Sequence, residues 1–259
     1  MRKIIPFYLL LSISLWACQS GENQNSESST ETEAENEAEE MAPAADNTLT
    51  DAEKAEGWQL LFDGKSMDQW RLYGKDNLAG WAIVDGEMQA LGEAGPEGLG
   101  ADIITKEEFE NFELSLEWKI SDAGNSGIFF NVVEAPEYKT VYATGPEYQL
   151  VDDIGFPSPL EDWQTSGANY AMHPPTRVAS NPAGTYNLSR IRVENGHVQH
   201  WLNNEKVVEY DLWTPEWQKL RDEGKWKEFP DYGKAKKGHI ALQDHGNQIW
   251  FKNVKVKRL

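Results

Sequence analysis

The 259-residue sequence contains one cysteine, Cys18, so a disulfide framework and a cysteine-based zinc site within one chain are both excluded. It also lacks a glycine-rich phosphate loop, a G-x-S-x-G motif and an H-E-x-x-H pair. These absences disfavour nucleotide chemistry, a standard serine hydrolase and a zincin. No internal repeat of about 20–50 residues is present, which disfavours a propeller fold.

Positive charge is scarce as well, because 24 Lys and Arg stand against 43 Asp and Glu, for a net charge of −19. Proteins that bind nucleic acids are usually basic, so no nucleic-acid partner is expected. Residues 19–56 alone carry twelve acidic residues and one lysine, with very few large apolar side chains. Such a segment cannot bury enough surface to offset its ordering entropy. Residues 18–56 are predicted to be a disordered acidic tether, with a helical turn at 51–56.

The long apolar run of the sequence, residues 4–16, follows Arg2 and Lys3 and is too short to span a bilayer. It has the length of the hydrophobic region of a signal peptide. The run ends in Leu15-Trp16-Ala17-Cys18, which resembles the lipobox of bacterial lipoproteins. This resemblance implies a signal peptide over 1–17, lipidation of Cys18 and anchoring to a bacterial membrane. The predicted location is the cell envelope, outside the cytoplasm, in the periplasm or at the outer membrane. The alternative is an ordinary secretory signal.

Residues 57–259 have the pattern of a single all-β domain. Residues 112–120 alternate apolar and polar side chains over nine positions, which predicts a half-buried strand. Asp85-Gly86, Asn195-Gly196 and Asn203-Asn204 separate short apolar segments and predict tight turns between strands. A further tight turn is predicted at 244–247, and one helix at 215–224. Many short strands with frequent turns indicate a β-sandwich or a barrel.

Two polar clusters are candidates for chemistry. If residues 147–151 form a strand, Glu147 and Gln149 share one face, opposite Tyr148, which has the character of a core residue. His245 lies in the predicted turn, beside Asp244, and histidine is a general acid or base near neutral pH. The alternatives are a solvated strand face and a turn whose polar residues only satisfy the backbone.

Aromatic and amide residues are frequent in the long segments 134–146 and 152–184, and also in the strand that precedes residue 134. Aromatic rings stack on the apolar faces of sugars, while amides and carboxylates bind hydroxyls, so these side chains suit a partly apolar sugar site. The alternative is that the rings belong to the core. The candidates are Asn125, Trp163, Tyr170 and His173.

These segments together resemble the 3-keto-disaccharide hydrolase domain family over residues 57–259. The matching segments are 58–65 (WQLLFDGK), 81–87 (WAIVDGE), 125–130 (NSGIFF), 147–152 (EYQLVD), 166–170 (SGANY), 182–187 (PAGTYN) and 238–246 (GHIALQDHG). The resemblance implies a concanavalin A-like jelly-roll β-sandwich with one short helix. It also implies hydrolase or lyase-type cleavage of 3-keto-glycosides: C2 deprotonation, β-elimination of the C1 substituent and rehydration.

The resemblance also implies roles for the candidate residues. Glu147 and His245 are the expected base and acid, in an order left open, and Asp244 would orient His245 or bind a divalent cation. No cofactor is certain, but a divalent cation is left open, with Glu147 and His245 as its candidate ligands. The residues expected to position the carbohydrate substrate are Asn125, Gln149, Asp152, Trp163, Tyr170, His173 and Gln243.

Two other functions remain open from the sequence. A non-catalytic, lectin-like carbohydrate-binding module would use the same fold and aromatic residues. An ordinary sandwich glycosidase would need two carboxylates close together on one strand. Glu147 and Asp152 are five residues apart and lie on opposite faces of a regular strand, so the sequence disfavours the glycosidase.

Overall fold

Thirteen antiparallel β-strands and two short α-helices are present in the described residues, 45–92 and 101–259, of the computed structural model. The first strands are β1 (Trp58–Leu60), β2 (Trp70–Leu72), β3 (Trp81–Val84), β4 (Glu87–Ala90), β5 (Ile103–Thr105), β6 (Phe112–Ile120) and β7 (Asn125–Val132). They continue with β8 (Glu147–Val151), β9 (Asn187–Glu194), β10 (His197–Leu202), β11 (Glu205–Asp211), β12 (His239–Leu242) and β13 (Ile249–Arg258). The helices are α1 (Asp51–Ala55) and α2 (Pro215–Glu223).

The strands form two sheets that pack face to face. The eight-stranded sheet has the order β11-β10-β9-β6-β13-β4-β3, with β1 also paired to β13. The five-stranded sheet has the order β2-β5-β12-β7-β8. One large apolar core takes side chains from both sheets, and a small second cluster lies around Phe129 and Ala241 of the five-stranded sheet. The predicted all-β jelly-roll sandwich is confirmed.

Strand alternation places the candidate site on the outer face of the five-stranded sheet. In β6, Phe112, Leu114 and Trp118 are fully buried in the core, as the period-two pattern predicts. In β8, Tyr148 and Leu150 also belong to the core. Because successive side chains of a strand point to opposite faces, Glu147 and Gln149 face away from the core.

The predicted turns are of two kinds in the structure. Asp85-Gly86, Asn195-Gly196 and Asn203-Asn204 all have positive φ and join neighbouring strands, as tight hairpins require. Residues 244–247 differ, because they connect β12 of the five-stranded sheet to β13 of the eight-stranded sheet. This segment crosses from one sheet to the other, so His245 lies at the rim of the sandwich.

Helix α2 begins and ends at the residues that the sequence indicates. Thr214 is its N-cap and accepts a hydrogen bond from the backbone N–H of Trp217, Pro215 occupies the first turn, and Gly224 follows the last residue. α2 leads into a short 3₁₀ turn, Lys225–Glu228, which contributes to the candidate site.

The folded part of the chain begins before residue 57. Asn47 is buried, and its backbone N–H donates to Oδ1 of Asn253 while its Oδ1 accepts from the Asn253 N–H, at 2.5 and 2.8 Å. Its amide also donates to the Gly86 carbonyl. These bonds satisfy an irregular position of β13, where Asn253 has a φ of 53°. Residues 45–56 of the predicted tether therefore contribute to the folded unit.

The predicted signal peptide, Cys18 and the tether up to residue 44 lie outside the described residues. The helical turn predicted at 51–56 is present as α1, which a capping box of Thr50 and Glu53 begins. None of the helices in the described ranges combines the length and the apolar character needed to cross a membrane.

Candidate active site

A pocket of about 330 Å³ lies on the outer face of the five-stranded sheet, over the ends of β7, β8 and β12. Six of the residues singled out in the sequence line it together with four others. The predicted residues are Asn125, Glu147, Gln149, Tyr170, Gln243 and His245, and the others are Tyr142, Lys225, Trp226 and Phe229.

The register of the strands explains why these side chains meet. Gly127 of β7 pairs with Gln149 of β8, and Phe129 pairs with Glu147. The Gln243 backbone N–H donates to the Gly127 carbonyl at 3.0 Å, which brings the end of β12 to the same place. Gln149, Gly127 and Gln243 are therefore neighbours across the sheet, and Glu147 lies two residues before Gln149 on the same face of β8.

Gly127 makes room for the central carboxylate. A Cβ atom at this position would lie only 2.7 Å from Oε1 of Glu147. Real Cβ atoms essentially never come so close to a heavy atom, so a larger residue would displace the Glu147 side chain. The absence of a side chain at 127 lets the carboxyl group lie flat over the sheet.

Glu147 is a buried acid with a strongly shifted pKa. Only 6 % of the residue is exposed, and no described residue donates a hydrogen bond to its carboxylate. Burial raises the pKa of Glu147 to about 8, the positive charge of Lys225 lowers it, and the negative charge of Asp102 raises it further. A group with such a pKa exchanges protons readily near neutral pH, which general acid–base catalysis requires.

Amide groups surround this carboxyl group. Gln149 Nε2 donates to Oδ1 of Asn125 at 3.2 Å, which fixes both amides on the pocket floor. The Oε1 atom of Gln243 is buried without a hydrogen-bond partner. Unpaired buried acceptors are costly, and a hydroxyl-rich ligand could satisfy this one.

Aromatic rings form the wall opposite the sheet. Tyr142 meets Phe229 edge to face at 5.4 Å, and Tyr170 meets Trp226 at 6.3 Å. Trp226 also donates from Nε1 to the Tyr170 carbonyl at 3.1 Å. Tyr232 stacks on the buried Trp226 at 4.0 Å and supports the wall from behind. Apolar rings facing amides and one acid suit the two kinds of surface that a sugar presents.

Sequence reasoning missed Tyr142, Lys225, Trp226 and Phe229. The aromatic content of residues 226–232 was the available signal. Local patterns do not show that the segment after α2 folds over β8, because that placement depends on long-range packing, such as the stack of Trp226 on Tyr232.

Two predicted acids do not line the pocket. Asp152 accepts hydrogen bonds from the backbone N–H groups of Ala123, Ile154 and Gly155, so its carboxylate holds the loops after β8 and before β7. The Asp244 carboxylate accepts from the Gly246 N–H at 3.0 Å and so shapes the segment that carries His245. No hydrogen bond joins Asp244 to the His245 ring among the described contacts.

Two predicted aromatic ligands of the sugar lie behind the pocket instead. The His173 ring lies parallel to two neighbouring rings, 4.6 Å from Tyr210 and 6.0 Å from Trp217, and burial lowers its pKa to about 4. It accepts a hydrogen bond at Nδ1 from Asn169, which fits a neutral ring. Trp163 contacts Tyr170 at 5.4 Å and supports this pocket residue.

The histidine and acidic side chains at the pocket do not form a metal-binding site among the described residues. Within residues 45–92 and 101–259, no three His, Cys, Asp or Glu side chains lie close enough together to hold an ion. Glu147 and His245, the two candidate ligands, would lack a third ligand of these types. No catalytic step is therefore assigned to a metal here.

The fold and the site define a β-sandwich protein whose pocket is lined by one buried acid, clustered amides and an aromatic wall, a composition that suits a small polyhydroxylated ligand. Residues 57–257 match the family model of the 3-keto-alpha-glucoside-1,2-lyase-like domain, and the chain belongs to this family. The match covers the whole pocket.

Individual relatives agree with this family. The chain is 36 % identical over 230 residues to the 3-keto-disaccharide hydrolase of Bacteroides thetaiotaomicron, and the match covers 79 % of each chain. A solved structure of a candidate glycosyl hydrolase from Parabacteroides distasonis is 42 % identical, with a TM-score of 0.78, and the match covers 83 % of this chain and 100 % of that one. A second candidate glycosyl hydrolase from the same species has a TM-score of 0.61 at 27 % identity, over 78 % of this chain and 99 % of that one.

Proposed function

We propose that this protein is a carbohydrate-cleaving enzyme that acts on 3-keto-glycosides. The observation that carries the proposal is the single buried Glu147, with a pKa raised to about 8, in a pocket that it shares with His245 and a pair of amides. Membership of the lyase-like family and the relative named 3-keto-disaccharide hydrolase support it.

The proposed reaction is an elimination followed by a hydration. A base removes the proton on C2, whose C–H bond breaks as its electron pair forms a C2–C3 double bond and the C3 carbonyl becomes an enolate. The enolate re-forms the carbonyl, a C1–C2 double bond appears, and the C1–O bond breaks. The leaving oxygen takes a proton from an acid. Water then adds to C1 while C2 regains a proton, so that the net result is hydrolysis.

Burial favours Glu147 as the base in this scheme. Its carboxylate has lost its hydration and accepts no hydrogen bond from a described residue, so the ionised form is a stronger base than an exposed glutamate. His245 is exposed on the pocket lining at the rim of the sandwich, where a leaving sugar must depart. His245 is therefore assigned as the acid that protonates the leaving group.

The amides and rings would position the substrate. Gln149 and Asn125 hold each other on the floor, and Gln243 presents an unpaired acceptor. Tyr170 offers an aromatic ring to the pyranose, and the buried Trp226 supports Tyr170 from behind. This arrangement needs one acid–base pair and no second carboxylate.

The location of the enzyme is proposed from the sequence alone. A cleaved signal peptide and a lipid on Cys18 would anchor the protein to a bacterial membrane outside the cytoplasm. Labelling of cells with a radioactive fatty acid should mark the wild-type protein and not a Cys18→Ser variant. Equal labelling of the two would refute the anchor.

Incubation of the full-length protein, in detergent, with 3-keto-trehalose and with unoxidised trehalose tests the function. We expect glucose to be released from the keto sugar only, and both Glu147→Gln and His245→Ala to reduce the rate strongly. Glu137→Gln, an exposed acid outside the pocket, is the matched control and should keep the rate. Saturable binding with no turnover would indicate the lectin-like module instead, and cleavage of trehalose would indicate an ordinary glycosidase.

A further inference from the structure

The proposed reaction places a negative charge on the C3 oxygen, and Lys225 is the cation that lines the pocket. Lys225 is the first residue of the 3₁₀ turn that follows α2, and Trp226 of the aromatic wall comes directly after it. Of the residues singled out from the sequence, only His245 carries a positive charge when protonated, and it is assigned to the leaving group.

Two aromatic rings lie beside the ammonium group of Lys225. Its Nζ lies 4.0 Å from the centre of the Tyr170 ring and 5.0 Å from that of Trp226. Cation–π attraction of this kind holds an ammonium group without neutralising it. Trp226 itself is fully buried, bonded to the Tyr170 carbonyl and stacked on Tyr232, so the turn that carries Lys225 has a rigid base.

The charge of Lys225 is available to a ligand. Among the described residues, no carboxylate lies within 4.0 Å of its ammonium group, whereas Lys54, Lys119, Lys252 and Lys255 each form an ion pair with an acid. The residue as a whole is exposed, so the side chain can adjust to a bound molecule. Its charge also acts on the pocket interior, because it lowers the pKa of the buried Glu147.

We infer that Lys225 is a catalytic residue that stabilises the enolate oxygen at C3 of the substrate, an inference that rests on the proposed function. When Glu147 takes the C2 proton, the electron pair moves to the C3 oxygen, and the ammonium group of Lys225 pairs with the new negative charge. The charge returns to the carbonyl as the C1–O bond breaks. The lysine keeps its own proton throughout.

A substrate analogue without an exocyclic substituent at C1 isolates this step. The 3-keto derivative of 1,5-anhydroglucitol can form the enolate but has no second sugar to release, so incorporation of deuterium at C2 in D₂O reports enolate formation without cleavage of a glycosidic bond. The full-length wild type and Lys225→Met, Lys225→Arg and Lys227→Met variants would be compared by NMR, beside cleavage of 3-keto-trehalose. Lys227 is exposed on the same turn and does not line the pocket, so it is the matched control.

Loss of one donor to a developing oxyanion typically costs roughly 100-fold to 1000-fold in rate. We therefore expect Lys225→Met to lose both deuterium exchange and cleavage by about that factor, while its melting temperature and its affinity for the analogue stay close to wild type. Lys225→Arg should retain part of both rates, and Lys227→Met should retain both in full.

The outcomes separate the two proposals. If Lys225→Met exchanges deuterium within about threefold of wild type, Lys225 does not stabilise the enolate, even if cleavage is slow. If the wild type neither exchanges nor cleaves, the proposed function fails, and this role of Lys225 fails with it. If wild-type exchange and cleavage are both present and both are lost in Lys225→Met, with partial recovery in Lys225→Arg, the inference is supported.

Discussion

Replacement of Glu147 by glutamine should change how the stability of the protein depends on pH. The folded protein holds the Glu147 proton up to a pKa of about 8, whereas an ordinary glutamate has a pKa of 4.5. Between these values the folded state binds a proton that the unfolded state has released, so stability falls as the pH rises through this window. Glutamine has the same shape and no proton to lose, so Glu147→Gln removes this loss.

The size of the effect follows from the two pKa values. Each pH unit within the window changes the free energy of unfolding by at most about 1.4 kcal/mol, which amounts to about 5 kcal/mol over the full interval. Water that enters the pocket on partial opening reduces this figure, so we expect Glu147→Gln to gain at least about 2 kcal/mol on the wild type between pH 5 and pH 9. Asp102, with a pKa raised to about 7 by burial, lowers the stability of both proteins as the pH rises, and its repulsion with ionised Glu147 exists only in the wild type.

Denaturation of the full-length proteins by urea at pH 5, 7 and 9 measures this difference. The unfolding free energies of wild type and Glu147→Gln should diverge as the pH rises, in favour of the variant. The control Glu137→Gln, at an exposed position, should run parallel to the wild type. Parallel curves for Glu147→Gln, within about 0.5 kcal/mol, would contradict the assignment of Glu147 as a buried, protonated acid.

Three further predictions concern the pocket and the N-terminal contact. With Glu147 as the base, kcat/KM for a 3-keto-glycoside should increase as the pH rises towards about 8, and a decrease over this range would make Glu147 the acid instead. Gly127→Ala should reduce cleavage at least about tenfold and leave the fold intact by circular dichroism, because its Cβ would displace the carboxyl group; wild-type activity would refute this. Asn47→Ala removes the two hydrogen bonds of the Asn47 side chain, which accepts from the Asn253 N–H and donates to the Gly86 carbonyl, and should lower the unfolding free energy by about 2 kcal/mol. An unchanged urea midpoint would show that the Asn47 side chain does not stabilise the sandwich.

The sequence is most informative where one local rule decides the structure. The alternation in β6, the paired turn residues at 195–196 and Pro215 at the start of α2 each follow from backbone geometry, and the structure has them. The same alternation places Glu147 and Gln149 together on β8. These elements required no knowledge of the tertiary arrangement.

The sequence is least informative where the role of a residue depends on contacts with segments that are far away in the sequence. Asp152 is a residue type that often binds sugar hydroxyls, yet its carboxylate oxygens accept hydrogen bonds from three backbone N–H groups of two loops. His173 is a residue type that often lines a sugar pocket, yet its ring stacks on Tyr210 and Trp217 outside the pocket. Lys225 carries no signal at all, because its role depends on the way the segment after α2 folds over Tyr170. Only long-range packing decides these three cases.

The number of carboxylates in the pocket bears on the choice between elimination and ordinary glycoside hydrolysis. A glycosidase commonly places two carboxyl groups roughly 5–10 Å apart across the scissile bond. In the described part of the chain, Glu147 is the acid that lines the pocket. Asp152 accepts hydrogen bonds from the backbone of two loops, and Asp244 accepts one from the Gly246 N–H, so both carboxylates support loops outside the pocket lining. An elimination needs one base, one acid and a site for the enolate charge, and Glu147, His245 and Lys225 match that requirement in number and kind. The pocket therefore favours a substrate whose C2 proton is already acidified by a neighbouring ketone.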